Sequence, residues 1–334
     1  MAQLIKLLDY PSRYEADLFH YPSQFVLLKR DKWEKISKAW KTNNWDFSEA
    51  ENESSIQVEE IEPVQLSDVI NEETSFFSKV LNKFKKRNNP ELGNHDDEND
   101  TLDQSDELSS ILEIFKVANE YFSEEELKHK YLDELFEFQL RWATSTDLAQ
   151  NETYRKIRYD ETLKYFLQSF PDNLLVLYRP VLYIGKAPVE LEIVIIGPVE
   201  TYCISFVNGD ENHVTIPEKG NFWLQKIVNR EKKILNPMFG LNRMGKLINQ
   251  IYKKNEIESK VHKILLSTNG FIDYQQPPRD VQIIDKRNYR QWYEGIVKKS
   301  SPIKLRQLKA AQSILALCEY TNHIDLISEE KIDA

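Results

Sequence analysis

An almost continuously apolar segment, Ile193 to Ile196 directly after Glu192, constrains the fold of this chain more than any other feature. A strand that is buried on both faces carries a run of this kind. Strand-like segments lie on either side of it, NLLVLYRPVLYI before and TYCISFVNG after. We therefore expect a sheet built around this segment.

Helical and strand-like patterns alternate around these three segments. TYRKIRYDETLKYFLQSF and MFGLNRMGKLINQIYKK predict helices before and after them, and Asn236-Pro237 precedes the second helix. Further along, KILLSTNG and DVQIIDK predict strands, and RNYRQWYEGIVKK and PIKLRQLKAAQSILALCEY predict helices. This order predicts an α/β (α+β) fold for residues 151–330, with a mixed sheet flanked by helices.

The first 150 residues predict helices and a charged linker. Residues 1–45 predict one or two helices that pack on another surface, and residues 106–150 predict a helical hairpin with a capping-box start at Ser123. Residues 46–109 are acidic and poor in core residues, as expected of a largely disordered linker. A short amphipathic helix near residues 76–87 would dock on the protein itself or, alternatively, on a membrane surface or a partner.

The net charge of −10 is unevenly distributed. Residues 46–109 hold 18 acidic residues and 5 Lys or Arg, so the rest of the chain is basic by 3 charges. Residues 226–263 carry ten Lys or Arg against three acids, and residues 279–309 carry nine against three, with aromatic residues interleaved. Basic groups beside aromatic rings favour DNA or RNA binding, although solvated helix faces give the same pattern. The candidate nucleic-acid contacts are Arg243, Lys246, Arg287 and Arg290.

The cysteines and the hydropathy pattern favour a cytoplasmic protein. Cys203 and Cys318 each lie in an apolar segment, as reduced thiols do. No apolar run approaches the roughly 20 residues that span a bilayer, so stable membrane insertion is not expected. The six histidines show no pair at zinc-ligand spacing, and no Gly-rich loop fits a nucleotide-binding fingerprint.

Several of these segments together resemble a known family. The helix with Glu161, the hairpin ELEIVIIGPVETYCISFV, the Trp223 region, the Asn236-Pro237 helix start and the strand VHKILLSTNG look like the bacterial nuclease-related domain (NERD). That family is similar to the Holliday-junction resolvases and belongs to the PD-(D/E)XK nuclease class. The resemblance covers residues 152–295 and implies a nuclease-like sheet with a metal-dependent active site.

The resemblance also identifies site positions. Such nucleases hold a divalent cation, Mg²⁺ or Mn²⁺, with two or three carboxylates, and the cation activates water against a phosphate. A lysine two residues after a strand carboxylate stabilises the developing charge. The helix and first strand carboxylates correspond to Glu161 and Glu192, whereas the acid and the lysine of the E-x-K pair correspond to Ser205 and Val207. A neutral hydroxyl is a poor Mg²⁺ ligand, and valine carries no charge.

The leading hypothesis is therefore a catalytically degenerate nuclease-like domain that acts as a nucleic-acid-binding or protein-interaction module. One alternative is an active Mg²⁺- or Mn²⁺-dependent nuclease in which a relocated lysine, Lys219 or Lys226, replaces the missing cation. A second alternative is a purely structural scaffold that binds a protein partner through its N-terminal helices.

Overall fold

The apolar segments predicted as strands form the centre of the largest sheet in a computed structural model of the chain. The structure describes residues 1–45, 115, 123–144, 152–184, 187–227, 230–299 and 301–318. The chain divides into two compact units, one formed by Met1–Arg30 with Glu125–Ala334 and the other by Asp31–Glu124.

Six strands form one mixed sheet in the first unit. They are β1 (Gln3–Leu7), β2 (Leu175–Tyr178), β5 (Ile193–Ile196), β6 (Glu200–Phe206), β10 (Lys260–Leu266) and β12 (Val281–Ile284), in the order β1-β2-β5-β6-β10-β12. Strand β2 is antiparallel to β5, and β5 to β6. The outer pairs β1–β2, β6–β10 and β10–β12 are parallel. The predicted mixed α/β fold is therefore confirmed.

The remaining strands form two smaller sheets. Strands β7 (Val214–Ile216), β8 (Phe222–Ile227), β9 (Arg230–Leu235) and β11 (Phe271–Ile272) form a sheet in the order β11-β7-β8-β9, with β9 at an edge. Strands β3 (Val181–Ile184) and β4 (Ala187–Glu190) form an antiparallel pair. The β8–β9 hairpin leads directly into the helix that follows, so it lies beside the end of the large sheet.

The described residues form eight helices. They are α1 (Arg13–Ala16), α2 (Tyr21–Thr42), α3 (Glu124–Thr144), α4 (Glu152–Arg158), α5 (Glu161–Gln168), α6 (Pro237–Lys254), α7 (Tyr289–Val297) and α8 (Leu305–Leu315). Helix α6 presents a stripe of buried residues at helical spacing (Met238, Leu241, Met244, Ile248 and Ile251) and packs against β6 and β10. Helix α5 packs near β2.

The N-terminal residues belong to the large sheet, which corrects the sequence analysis. The prediction of helices for residues 1–45 holds for α1 and α2, but residues 3–7 form β1, an edge strand that is buried throughout. The side chain of Gln139 in α3 accepts a hydrogen bond from the Leu4 N–H (2.6 Å) and donates one to the Ala2 carbonyl (3.0 Å). This amide covers the free edge of β1, because an unpaired buried backbone group is costly.

The prediction of strands also needs correction. The segment VELEIVII forms two strands, β4 and β5, that are separated at Leu191 and Glu192. Likewise Arg179, which has a φ of 50°, interrupts the segment that was expected to be one strand and separates β2 from β3. Strands β7, β8, β9 and β11 were not predicted. The acidic segment 46–109, the amphipathic helix near 76–87 and the first half of the hairpin predicted for 106–150 lie outside the described residues, apart from Phe115.

Within the described part of the chain, no helix combines the length and the apolar character needed to span a membrane.

Candidate functional site

A cleft of about 420 Å³ opens where β6 ends and α6 begins. Its position follows from the fold, because the carboxyl end of β6, the end of β9 and the first turn of α6 meet there. It is lined by Glu192, Ser205, Phe206, Val207, Asn208, Ile234, Leu235, Asn236, Pro237, Phe239, Gly240 and Arg243. Three of the four positions singled out for catalysis, Glu192, Ser205 and Val207, therefore lie together.

Glu192 is held directly opposite Ser205. The strand register pairs Ile193 with Ile204, so the next pair outward is Glu192 with Ser205. The Ser205 hydroxyl lies 2.8 Å and 2.7 Å from the two carboxylate oxygens of Glu192 and donates to this group. The backbone N–H of Phe206 also donates to Glu192. The carboxylate is thus fixed by a serine at the position where the family resemblance expects an acid.

The environment of Glu192 disfavours its charged form. Burial raises the pKa of the Glu192 carboxyl above its usual range. The hydrogen bonds from Ser205 and Phe206, and then the positive charges of Arg243 and Arg179, act in the opposite direction but do not cancel the effect of burial on this pKa. The cleft therefore contains a carboxyl whose ionisation costs free energy.

The first turn of α6 closes over this carboxyl. Asn236 caps the helix, because its side chain accepts a hydrogen bond from the Met238 N–H at 3.0 Å, and Pro237 follows as the first helical residue. A Cβ atom at Gly240 would lie only 2.8 Å from Oε1 of Glu192. The absence of a side chain at Gly240 thus allows the helix backbone to approach the carboxylate.

The described donor set does not fit a divalent metal ion. Glu161 is exposed and is not among the residues that line the cleft. Helix α5, which begins with Glu161, contacts Phe206 through Tyr165 and Phe166, with ring centroids 6.2 and 5.7 Å apart, and strand alternation points Phe206 away from Ser205. Glu192 is the one acid among the described lining residues, and no group of three or more His, Cys, Asp or Glu in the described ranges could hold a metal.

The neighbour of Glu161 has a structural role. Asp160 caps α5 by accepting hydrogen bonds from the Thr162 and Leu163 N–H groups at 2.9 and 3.1 Å, and its other oxygen accepts one from the Tyr178 hydroxyl at 2.8 Å. This acid therefore fixes the start of the helix on the sheet, away from the cleft.

Neither of the two lysines considered as replacements lines the cleft. Lys219 is exposed, and Lys226 forms an ion pair with Glu231 at 3.2 Å. The cation that does line the cleft is Arg243 of α6, which also donates a hydrogen bond to the Glu190 carbonyl at 3.3 Å. Arg243 was predicted as a nucleic-acid contact and not as part of the site around Glu192.

The other candidate nucleic-acid contacts differ in their surroundings. Lys246 is exposed one turn after Arg243 on α6. Arg287 forms a close ion pair with Asp285, a buried acid, and this arrangement raises the pKa of Arg287. Arg290 is 92% exposed and pairs with Glu294 at 3.0 Å. Arg243 and Lys246 thus share the α6 surface beside the cleft, whereas Arg287 and Arg290 are engaged elsewhere.

An exposed apolar rim at the cleft mouth was not predicted. Phe222, Leu235 and Phe239 are 53%, 68% and 54% exposed. Leu235 and Phe239 line the cleft, and Phe222 is the strand partner of Leu235 in the β8–β9 hairpin. The sequence contained a signal for Phe239, because this residue falls outside the apolar stripe of α6.

A second, smaller cavity of about 150 Å³ lies at the other end of β6. There the Lys299 ammonium and the Tyr202 hydroxyl donate to Glu200 at 2.5 and 2.8 Å and, against the effect of burial, lower the pKa of this acid to about 2. Cys203, in the middle of the same strand, is fully buried, and burial raises the pKa of its thiol to about 12. A thiol of this kind is a poor nucleophile.

Comparison with known proteins found a relative that matches part of this chain. An RNA 2',3'-cyclic phosphodiesterase from Geobacillus stearothermophilus is 29% identical to this chain over 139 residues, which are 42% of this chain and 36% of the relative. The chain thus matches little more than a third of the length of that protein. No protein-family model matches the chain, and no solved structure matches it.

Proposed function

We propose that this chain is a degenerate member of the nuclease-related class that binds nucleic acid at the Glu192 cleft without metal-dependent cleavage. The observation that carries this proposal is the contact between the Ser205 hydroxyl and both carboxylate oxygens of Glu192. A serine in this place supplies a proton donor to the carboxylate, where a nuclease of this class would need a second anionic ligand. Val207, two residues further, supplies no cation.

The charge around the cleft supports nucleic acid as the ligand. Arg243 lines the cleft, Lys246 follows it on the same helix, and β9 exposes Lys233 on the same face as Leu235. Lys and Arg side chains on two adjacent elements favour a polyanion, and they do so in a salt-dependent way. The similarity of part of the chain to a protein named as an RNA 2',3'-cyclic phosphodiesterase makes RNA the first nucleic acid to test.

Fluorescence anisotropy with labelled single-stranded RNA, over a series of salt concentrations, tests this proposal. We expect Arg243→Gln to weaken binding and to reduce the slope of log K against log salt by about 0.7, because one phosphate contact with a single strand is lost. The matched control is Arg158→Gln, which removes an exposed arginine of α4. Arg158 pairs with Glu137 of α3 and is not among the residues that line the cleft. Unaltered RNA binding by Arg243→Gln, or no binding by the wild-type protein, would contradict the proposal.

The same labelled oligonucleotides test for cleavage. RNA with a 3'-hydroxyl end, RNA with a 2',3'-cyclic phosphate end and single-stranded DNA are incubated with Mg²⁺ or Mn²⁺ and separated on denaturing gels. We expect all three to remain intact. Cleavage that requires the metal and disappears in Glu192→Gln would show an active nuclease, and hydrolysis of the cyclic phosphate alone would assign the activity named for the relative.

A further inference from the structure

We propose that Phe222 and Phe239, the two aromatic side chains of the apolar rim that they form with Leu235, are a stacking platform for unpaired bases, so that the ligand is single-stranded nucleic acid. This inference rests on the proposed function and names the form of nucleic acid that the site accepts. The first observation is exposure, since each of the three side chains is more than half exposed. Exposed apolar residues that form a contiguous group indicate a binding surface.

The geometry of the hairpin places these side chains on one surface. Phe222 and Leu235 are opposite each other in the antiparallel β8–β9 pair, so their side chains share a face. The other face of the hairpin carries Trp223, which is buried and contacts Tyr274. The Phe222 face is therefore the outward one, and it continues through Leu235 into the cleft, where Phe239 of α6 also lies.

Positive charge accompanies the platform on both sides. Lys233 lies two residues before Leu235, on the same face of β9 and about 6.6 Å along the strand. Arg243 lies one turn after Phe239 on α6 and lines the same cleft. In this arrangement a base can stack on the Phe239 ring while the phosphates on either side of it contact Lys233 and Arg243. Proteins that bind single strands without a sequence requirement combine stacking and phosphate contacts in this way.

The charges around the rim favour nucleic acid over a protein partner as the ligand of this surface. Among the described residues that line the cleft, the one acid is Glu192, which lies at the sheet end and not on the rim. On the outward face of the hairpin, Glu231 is paired with Lys226. The net positive charge beside the rim, from Arg243 and Lys233, is complementary to a phosphate backbone, and this complementarity favours nucleic acid as the occupant.

The experiment compares single-stranded RNA with a duplex of the same sequence, using the full chain and fluorescence anisotropy. We expect Phe239→Ala and Phe222→Ala each to weaken single-strand binding at least about fivefold, the lower limit for one base stacked on an aromatic ring. Phe239→Trp should retain the affinity because it keeps a ring, whereas Phe239→Leu should lose it because it keeps only apolar area. The matched control is Leu305→Ala, an apolar side chain that is 59% exposed at the start of α8.

The outcomes separate this inference from the proposed function. If the wild-type protein binds neither RNA, the proposed function fails and this inference fails with it. If the wild-type protein binds RNA but both alanine variants bind as tightly as the wild type, only the stacking platform is refuted. The platform is also refuted if Phe239→Leu binds single-stranded RNA like the wild type, because an apolar contact without stacking would then be sufficient. It is refuted as well if Phe239→Ala weakens duplex binding as much as single-strand binding, because the contact would then not depend on unpaired bases. Unchanged urea midpoints show that these variants remain folded.

Discussion

Gly240 provides a direct test of the geometry around Glu192. A Cβ atom at this position would lie 2.8 Å from Oε1 of Glu192, closer than a stable contact allows, so Gly240→Ala must displace the carboxylate. Displacement breaks the hydrogen bond from Ser205, which lies 2.8 and 2.7 Å from the two carboxylate oxygens. Gly295 in α7 is the matched control, because a Cβ atom there would contact nothing within 4 Å.

Two opposing free energies determine the result. Alanine in place of a helical glycine stabilises a helix by about 0.5–1 kcal/mol, which Gly295→Ala should show in full. In Gly240→Ala the loss of a hydrogen bond to a charged group costs about 1.5–3 kcal/mol against this gain. The free energy of unfolding should therefore fall by about 0.5–2.5 kcal/mol in Gly240→Ala and rise in Gly295→Ala.

Urea denaturation of the single and double variants measures this coupling. In a Glu192→Ala background the space beside Gly240 is open, so Gly240→Ala should become as stabilising as Gly295→Ala. The difference between the two backgrounds is the interaction energy of a double-mutant cycle. If Gly240→Ala stabilises the wild-type protein as much as Gly295→Ala does, the Glu192 carboxylate does not lie against α6, and the arrangement of the cleft around Glu192 is refuted.

Four further substitutions test the roles of three acids and a buried lysine. Asp160→Ala should lower the free energy of unfolding by about 1–2 kcal/mol, because it removes a helix cap, whereas Glu161→Ala should change it by no more than about 0.5 kcal/mol. Lys6→Met should lower the free energy of unfolding by about 1.5–3 kcal/mol in urea denaturation, because Lys6 is fully buried in β1 and its loss removes the charge-assisted hydrogen bonds to the partly exposed Glu15 and to the Tyr10 carbonyl. The folded-state pKa of Glu192 is raised, so its contribution to stability is present at acid pH and lost as pH rises through that pKa; Glu192→Gln should flatten this pH dependence.

The sequence predicted the central part of the fold because its signals there are local. The apolar segment Ile193–Ile196 and the stripe of α6 each determine their own structure, since burial on both faces of a strand or on one face of a helix needs a fixed residue pattern. The start of α6 was predicted from a local signal as well, because Asn236 is a capping residue and Pro237 favours the first helical position. The mixed sheet then follows from the order of these elements.

The elements that were missed depend on distant partners. Strand β1 is short and pairs with β2, which lies some 170 residues further along, and no pattern within residues 3–7 reveals this partner. Strand β9, REKKIL, is polar because it forms an edge and is exposed at five of six positions, so it lacks the alternation by which a strand is recognised. The position of Arg243 beside Glu192 depends on how α6 packs on β6, which is a tertiary contact.

The structure brings two of the predicted site positions, Glu192 and Ser205, together and leaves Glu161 apart from them. Glu192 and Ser205 correspond in register, and a hairpin register can be inferred from two adjacent strands. Glu161 was assigned from resemblance alone, and the structure places it outside the cleft residues, on the helix that packs against the other face of the sheet. The charged partner of Glu192 in the cleft comes instead from α6, through Arg243.

Glu192 has the properties of a binding group more than those of a structural one. A carboxylate offers about four lone-pair sites, and Ser205 and the Phe206 N–H occupy two of them, so acceptor capacity remains on the cleft side. Burial makes the charge costly, and Gln would fill the same space without that cost. Glu192→Gln should therefore raise the free energy of unfolding at neutral pH and weaken RNA binding. A gain in stability together with a loss of RNA binding is expected when the replaced group serves a ligand. If the carboxylate were purely structural, its replacement by Gln would lower the free energy of unfolding and leave RNA binding unchanged.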